Sequence, residues 1–186
     1  AQAAAQTSLN LNVLVKSDEV FRGVDFQNLR RVSVNINSNF SDPLKLGGNV
    51  SVGRSIARNL ETPRLGQSLN LNVWGTVKPT SRLVLEPEFT FSSLHDLDTN
   101  EEFFSGYIVR SRLNYQFNRR LFLRIVNQYN NFSDRFEVDP LLTYKINPFT
   151  AFYVGSTHDI VDFEGTTGFY QTQRQFFFKF QYLVRT

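Results

Sequence analysis

Cysteine is missing from all 186 residues, and so is methionine. Without thiols there are no disulfides, no thiolate nucleophile and no cysteine-ligated metal. Histidine occurs twice and tryptophan once, so a histidine-rich metal centre is excluded as well. No apolar run approaches the roughly 18 residues of a spanning helix. That last absence leaves a β-barrel open, because barrel strands alternate lipid-facing with lumen-facing residues and dilute their own hydropathy. A mean hydropathy of -0.29 fits such dilution. The net charge is only +3, and the basic residues stand singly along the chain rather than in patches, so no nucleic-acid surface is expected. Ser105-Gly106 and Gly47-Gly48 match neither a nucleophile elbow nor a phosphate loop, and no cofactor is expected.

What the chain has is aromatic side chains, 19 Phe and 7 Tyr, and a period of two. Leu9, Leu11, Val13 and Val15 alternate with Asn10, Asn12 and Lys16; Val32, Val34 and Ile36 alternate with Ser33, Asn35 and Asn37. The pattern continues through Leu69–Val77, Leu83–Phe91, Tyr107–Phe117, Leu121–Gln128 and Phe136–Ile146, and ends with Phe176, Phe178, Phe180 and Tyr182 opposing Gln175, Lys179 and Gln181. Strict alternation argues strand, since a helix repeats near 3.6 residues. A segment around Ala151–Thr157 is apolar on both sides, and its faces are not assigned by sequence. Pro87 and Pro140 fall inside strands on apolar positions, where each forfeits a ladder bond and predicts a bulge or weakened pair.

About ten strands of roughly 9–11 residues are expected, the length a tilted membrane strand needs. Tight turns are expected at Ser41-Asp42-Pro43, Lys78-Pro79-Thr80, Asn118-Arg119 and Asn147-Pro148. Longer polar connections are expected at Ser17–Leu29, Arg54–Gly66, Ser93–Phe104 and His158–Gly168, with a short one near Asn131–Asp134. Short turns on one side and longer loops on the other are a barrel signature. An aromatic-rich soluble β-sandwich is the competing architecture. The expected fold is therefore an all-β, antiparallel, up-and-down transmembrane β-barrel over residues 7–186, with both termini periplasmic. The segment 1–6 (AQAAAQ) is set aside as a disordered terminus or linker.

The charged residues between the apolar ones form a pattern. Folding the strand of Phe91 back on that of Tyr107 sets Glu88 opposite Arg110 and Glu86 opposite Arg112. The following strands offer Arg124, then Glu137 and Asp139, giving a belt of acidic, basic, basic and acidic strands. Opposite charges across a strand pair are favourable. A barrel of about ten strands is narrow, so these residues read as salt bridges that fix register in a largely filled lumen, with a small-ion path as the alternative. In the connections, His95, Asp96, Asp98, Glu101 and Glu102 sit together, and His158 lies beside Asp159 and Asp162. They admit a rim-active hydrolase as a rival reading, against a solvated acidic loop; no calcium-loop spacing is present and no metal is expected.

From Tyr107 onward the segments YIVRSRLNYQFNRRLFLRIVNQYN, DPLLTYKINPFTAFYVGSTHD and RQFFFKFQYLVR resemble the C-terminal barrel region of an uncharacterised outer-membrane family. Its members join that barrel to an N-terminal carbohydrate-binding-like module of the family-nine type. The resemblance covers somewhat under half the chain. It implies a bacterial outer-membrane location, with lipid and the barrel-insertion machinery as partners and an envelope protein as a further one. It supplies no catalytic residue. Two features depart from the family: no carbohydrate-binding module is present, and the last strand closes on Val184-Arg185-Thr186 rather than on an aromatic. The expected function is a non-enzymatic outer-membrane anchor, scaffold or narrow channel, or the barrel subunit of a larger envelope complex.

Overall fold

A computed structural model describes residues 6–162 and 168–183. The chain is all-β among the described residues, with ten strands: β1 Gln6–Phe21, β2 Val24–Ser41, β3 Leu44–Ala57, β4 Arg64–Thr80, β5 Leu83–Asp96, β6 Glu102–Gln116, β7 Leu121–Asn130, β8 Arg135–Asn147, β9 Thr150–Asp162 and β10 Phe169–Tyr182. They form one antiparallel up-and-down sheet in chain order, β1 to β10, and the sheet is open, with β1 and β10 as its two ends. Gln6, expected in the terminal segment, opens β1. Ala1–Ala5 and the closing Val184-Arg185-Thr186 lie outside the described residues.

The strands are longer than the sequence suggested, 14 to 18 residues for β1 to β6. The Ser17–Leu29 connection is where the expectation fails most. β1 and β2 run on to a two-residue turn, Arg22-Gly23, with φ of 50° and 79°. Positive φ at both central residues is the primed hairpin turn that matches strand twist. The polar residues that suggested a loop are absorbed instead by an irregular ladder. The register shifts between Leu14 and Ser17 and again between Ser17 and Glu19, and Asp18 Oδ1 accepts from Asn28 N at 3.0 Å. The expected tight turns form through side-chain acceptors. Asn118 Oδ1 takes the Arg120 and Leu121 amides at 2.8 and 3.0 Å, and Asn147 Oδ1 takes the Phe149 amide at 2.8 Å.

The chain divides into two compact units. One comprises the described residues of Ala1–Ser41, Lys45–Trp74 and Phe89–Tyr107. In it the cross-strand pairs Leu9↔Ile36, Leu11↔Val34 and Val13↔Val32 line up one apolar face, while Asn10↔Asn35 and Asn12↔Ser33 line the other. The polar face is knitted by amides and hydroxyls: Asn37 to Asn35 at 2.6 Å, Asn72 to Thr90 at 2.7 Å and Ser92 to Asn70 at 2.6 Å. A small buried cluster of Phe26, Leu29 and Ile56, with Phe21 and Leu65 against it, closes the end beside the Arg22-Gly23 turn.

The other unit comprises Asp42–Leu44, Gly75–Glu88 and the described residues of Ile108–Thr186. Here the register resolves the faces of β9 that alternation left unassigned. Tyr115, Leu123, Leu142, Val154 and Phe178 form one apolar row across β6 to β10. Arg110, Gln128, Glu137 and Asp159 form a polar row on the opposite face of β6 to β9. Pro140 pairs with Ile125 on one side, and the β8–β9 series skips from Val138↔His158 to Leu141↔Gly155 on the other. That interruption is the weakened pairing a strand proline imposes.

Large rings lie over glycines on the polar faces. A Cβ built on Gly47 would stand 2.5 Å from the Trp74 ring, and one on Gly155 would stand 2.4 Å from the Phe177 ring. Neighbouring Gly48 has room, since its Cβ would meet the Asn72 carbonyl oxygen at 3.4 Å. Gly47→Ala is therefore expected to cost about 1–3 kcal/mol through overpacking, and Gly48→Ala less than about 1 kcal/mol. Urea unfolding of detergent-folded protein, followed by tryptophan fluorescence, measures both.

Candidate functional site: the charged face of β5 to β9

In the second unit the polar face carries charge because β5, β6, β7, β8 and β9 each place a charged residue on it, Glu86, Arg112, Arg124, Glu137 and Asp159 among them. Glu86 on β5 and Arg112 on β6 form an ion pair, Nη1 to Oε2 at 3.4 Å, and Asn114 Nδ2 also donates to Glu86 Oε2 at 3.4 Å. Both side chains are more than a third exposed, so solvent screens the pair and its worth is about 0–1 kcal/mol. Glu88 is half-buried on the same strand; Arg110 is exposed and stands opposite Gln128. Glu137 accepts from Gln128 Nε2 at 3.2 Å and from Arg135 Nε at 3.1 Å. Asp139 stands opposite Val126, with its Oδ1 buried and without a hydrogen-bond partner.

The strongest element of the network has no counterpart in the sequence reading. Arg135 grips Asp159 with two guanidinium nitrogens, Nε to Oδ1 at 2.6 Å and Nη2 to Oδ2. Asp159 is 5% exposed, so its charge is desolvated and depends on the bidentate fork. Sequence grouped Asp159 with a loop; the register instead puts it on β9 directly across from Glu137, and Arg135 bridges the two carboxylates. Arg124 fares differently from the belt that was expected. It faces Asn114 on one side and Leu141 on the other, and among the described residues it enters no ion pair.

The histidines fall in different units, and each has local partners. His95 Nε2 lies 3.6 Å from Glu102 Oε2. His158 Nε2 meets Ser156 Oγ at 2.9 Å, and its Nδ1 meets the Gln171 amide at 3.2 Å. A serine, a histidine and an amide in series have the connectivity of a nucleophile, base and orienter. Ser156 is only 7% exposed, however, which closes its hydroxyl to a substrate carbonyl, and serine and histidine two apart on a strand meet simply because they share a face. Asp96 has a local structural task. Its carboxylate accepts the Asp98 and Thr99 amides at 2.9 and 3.0 Å, shaping the β5–β6 connection. Those amide bonds, Thr99 first, hold its carboxyl below the ordinary 3.8, with the Thr99 hydroxyl and Arg64 assisting against a smaller opposing effect of burial. Among the described residues no group of three or more His, Asp or Glu is placed to hold a metal ion.

No protein-family model, curated protein or solved structure matches the chain.

Two outcomes follow from this geometry. Arg135→Ala strands the buried Asp159 carboxylate and is expected to lower the urea midpoint clearly, whereas Glu86→Gln shifts stability by less than about 1 kcal/mol. In a double-mutant cycle the Arg135→Ala and Asp159→Ala effects should add to less than their sum. For Asp96 the folded value lies below the unfolded one, so its contribution is complete above about pH 4 and fades as pH falls through the folded value. Asp96→Ala should thus destabilise the β5–β6 connection at pH 7, read as faster exchange of the Thr99 amide. The gap from the unsubstituted protein should close in acid.

Proposed function

We propose that the chain is a transmembrane β-barrel of the bacterial outer-membrane type, a non-enzymatic anchor or scaffold with a largely filled interior. The observation that carries this reading is where the apolar side chains lie. Leu9, Leu11, Val13 and Val15 on β1, Val32 and Ile36 on β2, Leu46, Val50 and Val52 on β3, Leu142, Tyr144 and Ile146 on β8, and Phe176, Phe178, Phe180 and Tyr182 on β10 are all exposed. Among the described residues no large side chain is fully buried. A water-soluble domain of this length hides its apolar residues in a core, and contiguous apolar surface of this extent would aggregate. Lipid is the solvent in which apolar residues outward and polar residues inward is the favourable arrangement.

Strand length and aromatic content support the same reading. Most strands exceed the roughly 9–11 residues a tilted span requires, so strand ends such as Asp96 extend past the apolar band. Phe89 stacks on Tyr107 at 6.0 Å, and Phe152 packs on Phe178 and Phe180 at 5.8 and 4.9 Å, rings of the kind that line membrane interfaces. No described helix is long and apolar enough to cross a membrane; crossing, on this reading, is done by strands. In hydrocarbon each unsatisfied backbone group costs several kcal/mol, so the edges of β1 and β10 must be satisfied by closure or by strands of a partner. Closure gives the anchor, scaffold or narrow channel; a partner gives the barrel subunit of a larger envelope complex.

Refolding in detergent followed by insertion into planar bilayers tests the proposal. The expected result is a heat-modifiable compact band on gels, protease protection in vesicles, and silence or small discrete conductance steps. A chain that remains folded and monomeric in detergent-free buffer would overturn it.

A further inference from the structure

The polar face of the second unit contains an open pocket of about 410 Å³, lined by residues of β5 to β9 and the β4–β5 turn. Three of its lining residues are cations, Arg82, Arg124 and Lys145, and no carboxylate lines it. Phe122 and Tyr153 supply aromatic walls, and Asn114 a neutral amide. Register explains the gathering. Asn114, Arg124 and Leu141 form one cross-strand row, and Gln116, Phe122, Thr143 and Tyr153 form the next. Lys145 follows one position further along β8, its Nζ 4.8 Å from the Phe122 ring centre.

Two other arginines on this face are paired, Arg112 with Glu86 and Arg135 with Glu137 and Asp159, whereas Arg110 stands singly opposite Gln128. The three cavity cations enter no ion pair among the described residues. Like charges lining one concavity repel each other and focus a positive potential there, an arrangement that an incoming anion relieves. A guanidinium fork and an ammonium grip carboxylate or phosphate oxygens. The ring faces beside them take a flat or apolar body, and the volume lies within the range of small-molecule sites.

We propose that this cavity binds a small organic anion, an aryl or similarly compact carboxylate or phosphate, with Arg124 and Lys145 holding the charged head and Phe122 and Tyr153 the body. The proposal concerns the folded chain and does not rest on membrane insertion.

Calorimetric titration of the detergent-folded full chain with phenyl phosphate tests it, with neutral phenyl glucoside and inorganic phosphate as comparison probes. Saturable binding of phenyl phosphate is expected, tighter than inorganic phosphate and absent for the glucoside. Arg124→Gln and Lys145→Gln should each weaken it about tenfold, the loss of one charge-assisted contact. Tyr153→Leu should weaken phenyl phosphate while leaving inorganic phosphate unchanged. Lys16→Gln, which removes a charge outside the cavity, should change nothing, and circular dichroism verifies that each variant is folded. No saturable binding, equal binding of the glucoside, or an affinity unmoved in folded Arg124→Gln would overturn the proposal.

Discussion

Everything in this structure depends on the antiparallel ladder and its period of two. Once consecutive strands pair, successive side chains must point to opposite faces, and the sequence spends one set on apolar residues and the other on polar ones. The consequence is that few apolar side chains are buried among the described residues. The one buried apolar cluster among the described residues, Phe26, Leu29 and Ile56, sits at one strand end. Elsewhere the stabilising interactions within each unit are backbone bonds, cross-strand rows and polar contacts. An apolar face left exposed is costly in water, whereas the ladder satisfies the backbone whatever the solvent.

The two polar faces are built from different chemistry. In the first unit, Asn35, Asn37, Asn70, Asn72, Thr90 and Ser92 offer donors and acceptors in equal measure, so they satisfy one another without net charge. In the second, ion pairs join the face, and where a carboxylate is buried, as at Asp159, desolvation makes its pairing decisive. Asp159 is buried and held by a bidentate arginine, which is the arrangement burial demands. Arg124 and Lys145 are exposed enough to remain hydrated, so they can stay unmatched until a counter-charge arrives.

Much of this was legible from residue order, because alternation is a local property. The strands, the turns at Asn118 and Asn147, and the Glu86–Arg112 meeting all follow from period and hairpin folding. Three features were not legible, for one shared reason: each depends on register, which irregular pairing alters. The bulges between Leu14 and Glu19 carry β1 and β2 through a polar stretch that composition assigns to a loop. The pairing of β8 with β9 puts Asp159 across from Glu137 rather than in a connection, and Arg135 joins them. Leu141, not an acid, lies across from Arg124, which removes that arginine from the expected belt. A histidine–serine contact such as His158 with Ser156 shows the converse, a local proximity that spacing guarantees and function does not require.

The ends of the sheet impose the remaining constraint. β10 is exposed along its whole length, and β1 nearly so. Each nonetheless keeps the two-faced pattern, Phe176, Phe178 and Phe180 against Gln175 and Lys179, and Leu9, Leu11 and Val13 against Asn10 and Asn12. Natural edges that stay open are blunted with proline, bulges or inward-pointing charges. From Gln173 to Tyr182 the pairing of β10 with β9 runs without a register shift, and no proline interrupts the strand. The edge carries a register shift between Gln171 and Gln173 and the charges of Arg174 and Lys179, two of the devices that blunt an open edge, while the rest of the strand keeps an apolar and a polar face in alternation. The free side of β10 leaves its outward backbone groups to be satisfied by solvent or by another strand.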